Sequence, residues 1–266
     1  VAKIFFAEFK NGSIIQPLVI DDPGDDTQQF NDAGDSGDGL GKENSGEGLG
    51  GDVGNDIQEV MQRTIYIDGD LGADCIDGTY SLAFRTCGSG IDGIAYNHPQ
   101  DVYQIIQPGD TISIRAGTYR SLNNQRVMHF VKTGTEGSPI IIQNYNNEDV
   151  FFVGSAGFPV IEMSLDNKPC GCPNDPAGGQ YAYIVFRGLD ISGGSKGIDS
   201  RNSKYITIEN NKLHNLTGTG IEFTKQGGNR TDGRYPTGGH HLIRNNEVYH
   251  NVGGIHVKGE YSIIEN

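Results

Sequence analysis

Short runs of apolar residues, several alternating with polar ones, recur along most of this chain, and almost none extends far enough to form a helix. Thr64–Ile67, Thr111–Arg115, Val127–Val131, Pro139–Tyr145 and Val150–Val153 each read as a strand. The Pro108-Gly109 turn leads into Thr111–Arg115, and Gly117 is expected to end it. Asp101–Ile106 is the one segment read as helical.

A repeat then organises the second half. Tyr183-Ile-Val-Phe-Arg-Gly, Tyr205-Ile-Thr-Ile-Glu-Asn-Asn, His241-Leu-Ile-Arg-Asn-Asn and Ser262-Ile-Ile-Glu-Asn align at intervals of 22, 36 and 21 residues. The long interval holds a Gly-rich insertion between Lys225 and Gly239. Each repeat continues with a short apolar group (Leu189/Ile191, Leu213, Val248) and then a Gly-Ile element (Gly197-Ile198, Gly220-Ile221, Gly254-Ile255). Three strands and three turns in 21–22 residues describe one coil of an all-β solenoid, the parallel β-helix, in which equivalent side chains stack from coil to coil. Tyr183, Tyr205, His241 and Ser262 should therefore stack, and turn Asn residues should form a ladder, because Asn tolerates left-handed backbone.

The chain divides into a hairpin or tail at 1–20, around Asn11-Gly12, an acidic Gly/Asp-rich linker at 21–57, and the β-helix at 58–266. Within the last, 63–160 supply the cap and first coils and 183–266 the regular coils, with an incomplete C-terminus expected. Forty glycines and a 35% hydrophobic content suit many tight turns. Of the net charge of −14, the stretch from Asp21 to Asp56 accounts for −10, with eleven acidic residues against Lys42. This leaves −4 elsewhere, so charge says little about what the folded body binds. It does argue against nucleic acid, and no apolar run is long enough to span a membrane. Gly50–Asp56 has the flavour of a calcium-binding Gly/Asp repeat but is not repeated, so a solvated linker is the expectation.

Four cysteines, Cys75, Cys87, Cys170 and Cys172, are disulfide candidates in a secreted or cell-surface protein, with three connectivities open. A metal site is the alternative, although the usual Cys-x-x-Cys spacing is missing.

The run Pro108-Gly-Asp-Thr-Ile-Ser-Ile-Arg-Ala-Gly-Thr-Tyr119, followed by Gly137-Ser-Pro-Ile-Ile-Ile-Gln143, Phe186-Arg-Gly-Leu-Asp-Ile191 and the Asn-rich coils, resembles the pectate lyase-like superfamily of right-handed parallel β-helices. The resemblance spans about Arg63 to Asn266. It implies an N-terminal cap and, in lyase members, cleavage of uronate-containing chains by β-elimination. There a cation, often Ca2+, offsets the substrate carboxylate while a Lys or Arg abstracts the C5 proton. One lyase branch carries Asp-Gly-Phe with a following Lys, then Asp-Asp-Gly-x-Asp on the next coil. Here Thr219-Gly220-Ile221 and Lys225 stand at the first motif, and Val252, Gly253 and His256 at the three Asp positions of the second. The calcium ligands of that branch are therefore missing.

The remaining candidates are Lys225 and Lys258 as bases, and Asp199, Glu222, Arg230, Arg234, Tyr235 and His256 as contacts to an acidic polysaccharide or surface glycan. Asp199, Glu222 and His256 each follow a Gly-Ile element, which predicts one outward column across three coils. Arg230, Arg234 and Tyr235 lie in the insertion, where two guanidiniums and a ring could grip a uronate. A secreted enzyme of this kind is one reading. A non-catalytic surface or filament protein, self-associating head to tail through exposed coil edges, is the other.

Overall fold

A computed structural model of the chain describes residues 62–130, 132–163, 182–201, 203–224 and 238–266. They belong to the larger of two compact units, Asp56–Asn266. The hairpin at 1–20, the acidic linker at 21–57, Cys170, Cys172, Lys225, Arg230, Arg234 and Tyr235 lie outside the described residues.

The strands assemble into three sheets in which every pair is parallel and each strand bonds to its equivalent one coil away. The first sheet contains Ile94–Tyr96, Thr64–Ile67, Thr111–Ile114, Ile140–Asn144, Ala182–Arg187, Lys204–Glu209, Leu242–Arg244 and Ile263–Glu265. The second runs Gly117–Arg120, Val150–Val153, Asp190–Ser192, Lys212–His214 and Glu247–Tyr249. The third runs Met128–Phe130, Pro159–Met163, Lys196–Arg201, Thr219–Thr224 and Gly253–Val257. This is a parallel β-helix.

Stacked apolar columns on every sheet build the core. Ile112, Ile142, Phe186, Ile208, Ile243 and Ile264 pair in succession on the first sheet. Tyr119, Phe152, Ile191, Leu213 and Val248 do so on the second, and Met128, Ile161, Ile198, Ile221 and Ile255 on the third. Nearly all belong to one continuous cluster. Each fully buried side chain of this size contributes about 1.5–3 kcal/mol.

The corners explain the recurring Asn and Gly. Asn211 accepts from Leu189 N (2.9 Å) and donates to Phe186 O (3.0 Å), and Asn246 accepts from Asn211 N (3.0 Å) and donates to Ile208 O (2.8 Å). Such amides satisfy backbone groups that the turn removes from the sheets. At the third corner Gly197 is required: a Cβ there would lie 2.4 Å from Gly220 O and 2.7 Å from Leu213 Cδ2.

Three expectations need correction. Tyr205 stacks on His240, not His241, because Thr207 pairs with Leu242 and the interval is 35 residues. The ladder is Tyr183, Tyr205, His240 and Tyr261, with ring centroids 4.7, 4.9 and 5.2 Å apart and every φ between 51° and 55°. His241 instead points into the core. It packs 4.3 Å from the Phe223 ring and accepts from Ile206 N at 3.4 Å. Asp101–Ile106 holds only the end of a short 3-10 turn, Pro99–Val102, capped by His98. Gly117 begins a strand of the second sheet rather than closing one of the first.

The first coil is sealed by ion pairs. Asp68 is fully buried and accepts from Tyr80 Oη at 2.5 Å and Arg85 Nη2 at 2.5 Å. Arg115 pairs with Glu148 at 2.9 Å and donates to Leu82 O at 3.0 Å. Tyr80, Leu82 and Arg85 lie in a loop closed by a Cys75–Cys87 disulfide.

Candidate functional site: a charged column on the third sheet

Alternation along the third sheet sends the residue after each inward Ile to the outer face. His129, Glu162, Asp199, Glu222 and His256 therefore pair in direct succession over five coils. The sequence placed Asp199, Glu222 and His256 in one column, and the coordinates bring them into register. Glu162 and His129 escaped notice because their strands lack the Gly-Ile signature, although Val160-Ile161-Glu162 carries the same apolar-apolar-acid order.

Lys196 organises the centre of this column. Its Nζ lies 3.1 Å from Asp199 Oδ1 and 2.8 Å from Glu222 Oε1. It directly precedes Gly197, which was the available signal for it. Arg126 pairs with Glu162 and stands 5.4 Å from the Phe158 ring centroid. Asp199 is only 2% exposed, so the outward position expected for it is covered at this level. Glu222 is half-buried, and His256 and Lys258 are exposed.

Burial pushes the Asp199 carboxyl above its ordinary range, reinforced by Glu162 and Glu222 and opposed by Lys196. Burial acts on Glu222 in the same sense, but the Lys196 ammonium, Thr219 and His256 outweigh it and hold Glu222 below its ordinary value. For Lys196 burial favours the neutral amine, yet its two carboxylate partners win and the ammonium persists. The column thus combines neighbouring carboxylates of opposite tendency, a fixed cation and an exposed imidazole.

The first sheet carries a contrasting column. Gln143, Arg187, Glu209, Arg244 and Glu265 pair in succession, and Glu209 accepts from Arg187 Nε at 2.6 Å and Arg244 Nε at 2.7 Å. On the second sheet a groove of about 220 Å³ is lined in part by Glu148, Asp149, Phe151, Asp190 and Lys212. Asp190 is bound there by His214 Nε2 at 2.8 Å.

Calcium does not fit the column as folded. The Asp199 and Glu222 oxygens face the Lys196 ammonium, and Glu162 faces Arg126, so cationic side chains already stand where an ion would. Among the described residues the one converging group of three potential metal donors is Cys75, Asp77 and Cys87, whose sulfurs are joined in the disulfide. No helix among the described residues is long and apolar enough to cross a membrane.

The fold and this outer column define a parallel β-helix with an ionisable face. No protein-family description matches the chain, and no curated protein matches it. Solved structures similar to it include an alginate lyase from Paenibacillus sp. str. FPU-7, at 17% identity and a TM-score of 0.40 over 57% of this chain and 41% of that one. Another is pectate lyase Pel9A, at 18% identity and a TM-score of 0.44 over 74% of this chain and 42% of that one. The chain spans about two fifths of the length of each. Assignment of the fold rests on the three parallel sheets, not on these likenesses.

Proposed function

We propose that this chain is a secreted β-helix protein that acts on an acidic polysaccharide, with uronate units meeting the third sheet. One observation carries the reading: five ionisable side chains stand in register there, and Lys196 ties together the central pair, Asp199 and Glu222. A run of like charges on adjacent strands is unfavourable and is tolerated where function uses it. Lys196 holds the two central carboxylates in place, and exposed His256 and Lys258 are the candidate bases for β-elimination. Lys225 belongs to the same proposal as a further candidate base, and Arg230, Arg234 and Tyr235 as substrate contacts. No step is routed through a metal. The Cys75–Cys87 disulfide supports an oxidising, extracellular setting.

The test is incubation of the chain with pectate, alginate and glycosaminoglycans, with and without calcium, reading the ultraviolet absorbance of unsaturated uronate ends. Product from at least one substrate, lost in His256→Ala or Lys196→Ala, is the expected result. Absence of both cleavage and binding across all of them would overturn the proposal.

A second reading is favoured by the first sheet and the corners. There the Arg187–Glu209–Arg244 and Asn211–Asn246 ladders bond among themselves, as a rigid structural rod would require. Electron microscopy separates the two: filaments formed by a chain with no effect on any glycan would favour the rod.

A further inference from the structure

Where the first sheet turns into the second, successive coils differ in the length of the corner. The corner after Asn144 takes residues 145–149 and includes the 3-10 turn Tyr145–Asn147. The next two coils make the same corner with Gly188-Leu189 and Asn210-Asn211 alone. The longer corner walls the groove of about 220 Å³ on the second sheet, which crosses all three coils. That wall is firm: Asn144 Nδ2 donates to Glu148 O at 2.9 Å, and the Arg115 guanidinium lies 4.8 Å from the Tyr145 ring centroid.

The floor is kept bare. Gly188 has a φ of 70°, and a Cβ there would lie 2.1 Å from Asn144 Oδ1. On the outer face beside it Phe151 pairs with Asp190 and Asp190 with Lys212. A ring, a carboxylate and an ammonium thus succeed one another at strand spacing, about 4.8 Å. The Phe151 residue is 40% exposed. Asp190 is fixed in place, because Asn215 Nδ2 donates to His214 Nδ1 at 2.8 Å and leaves the ring proton on Nε2, which bonds Asp190 Oδ1 at 2.8 Å. Among the described residues no group bonds Asp190 Oδ2 or the exposed Asp149 carboxylate.

We infer that this groove binds one neutral pyranose unit of a glycan. Pockets for drug-sized ligands measure about 300–1,000 Å³, so a groove of this size admits a single ring and not a length of chain. The Phe151 ring takes the apolar C–H face of the sugar. Asp149 and Asp190 accept from its hydroxyls, and Lys212 and the Asn210 amide donate to its oxygens. Two open carboxylates against one ammonium disfavour a uronate. The site lies on the second sheet and does not depend on the reading of the third.

Saturation-transfer NMR of the whole chain tests this, with methyl glycosides of glucose, galactose, mannose and xylose and with galacturonate. At least one neutral glycoside should bind with a Kd of about 1–10 mM, as befits so few ligand atoms, and saturation should concentrate on the C–H protons of one ring face. Galacturonate should bind about fivefold more weakly or worse. Phe151→Ala and Asp149→Asn, both at exposed side chains, should melt as the wild type does and each weaken binding by about tenfold. His256→Ala, on the third sheet, should bind the glycoside as the wild type does. No binding by any neutral glycoside would overturn the site, as would galacturonate binding as tightly as the best of them, or Phe151→Ala binding unchanged. Loss of binding in His256→Ala would move the sugar to the third sheet and overturn it equally. Glycoside binding by a chain that neither cleaves nor binds any acidic polysaccharide would sustain this site while overturning the third-sheet reading.

Discussion

The outer faces of the first and third sheets share one backbone plan and differ in how they arrange charge. On the first, signs alternate: Arg187, Glu209 and Arg244 stand on successive coils, and the Glu209 carboxylate meets guanidiniums from both sides. On the third, Glu162, Asp199 and Glu222 follow one another without alternation, and cations from outside the column, Lys196 and Arg126, compensate them. Strand spacing of about 4.8 Å makes direct neighbours of like charge unfavourable. Alternation is what a purely structural ladder needs. Succession is a cost that stability alone does not explain, and this is why the third sheet is the better candidate for function.

Removing Lys196 should break the contrast most sharply. Lys196→Met leaves Asp199 buried among carboxylates and should destabilise the fold by about 3 kcal/mol at neutral pH. Adding Asp199→Asn should recover most of that loss in urea denaturation. Equal loss in both variants would mean that packing by the lysine stem, not charge, holds this face.

Beneath the first sheet lies a titratable group of the core, His241, whose pKa burial pushes down to about 4, with a smaller contribution from His240. The folded state favours the neutral ring. The resulting stability is fully present above about pH 6.5 and is lost as pH falls toward 4, by up to about 3 kcal/mol. Denaturation midpoints for wild type and His241→Leu should therefore differ in pH slope across that window, whatever their absolute values. Parallel slopes would contradict it.

The alternating ladder should prove the least sensitive. Glu209 is itself buried, but its two arginine partners are 42% and 41% exposed and can turn to water, so Glu209→Gln should cost only about 1 kcal/mol, and salt should diminish it. A loss as large as that of Lys196→Met would erase the distinction between the faces.

The architecture was legible because apolar positions repeat at the coil length and the Asn and Gly-Ile corners recur with them. The register beyond the insertion was not. Either histidine of the His240-His241 pair can follow the tyrosine ladder by sequence, and the choice is made by three dimensions at once. His240 takes the left-handed backbone and the stacking position, while His241 fills the core beside Phe223. The site was half legible. Asp199, Glu222 and His256 share a visible signature, whereas Glu162 sits in a coil without it. Lys196 reaches the column from beyond a glycine corner, where simple alternation fails.

The four-ring stack of Tyr183, Tyr205, His240 and Tyr261 bears on how such a molecule can change over generations. A left-handed conformation is unfavourable for each of these residues on its own, and it recurs because the next ring must land on the last. The molecule therefore behaves as a one-dimensional crystal whose lattice plane is the coil. A single-residue deletion inside a strand would throw every ladder above it out of phase. A whole coil, or a loop of any length bulging between planes, leaves the lattice intact. Steps of 30, 44 and 35 residues between paired positions, at Ile112–Ile142, Ile142–Phe186 and Ile208–Ile243, leave the pairing in phase.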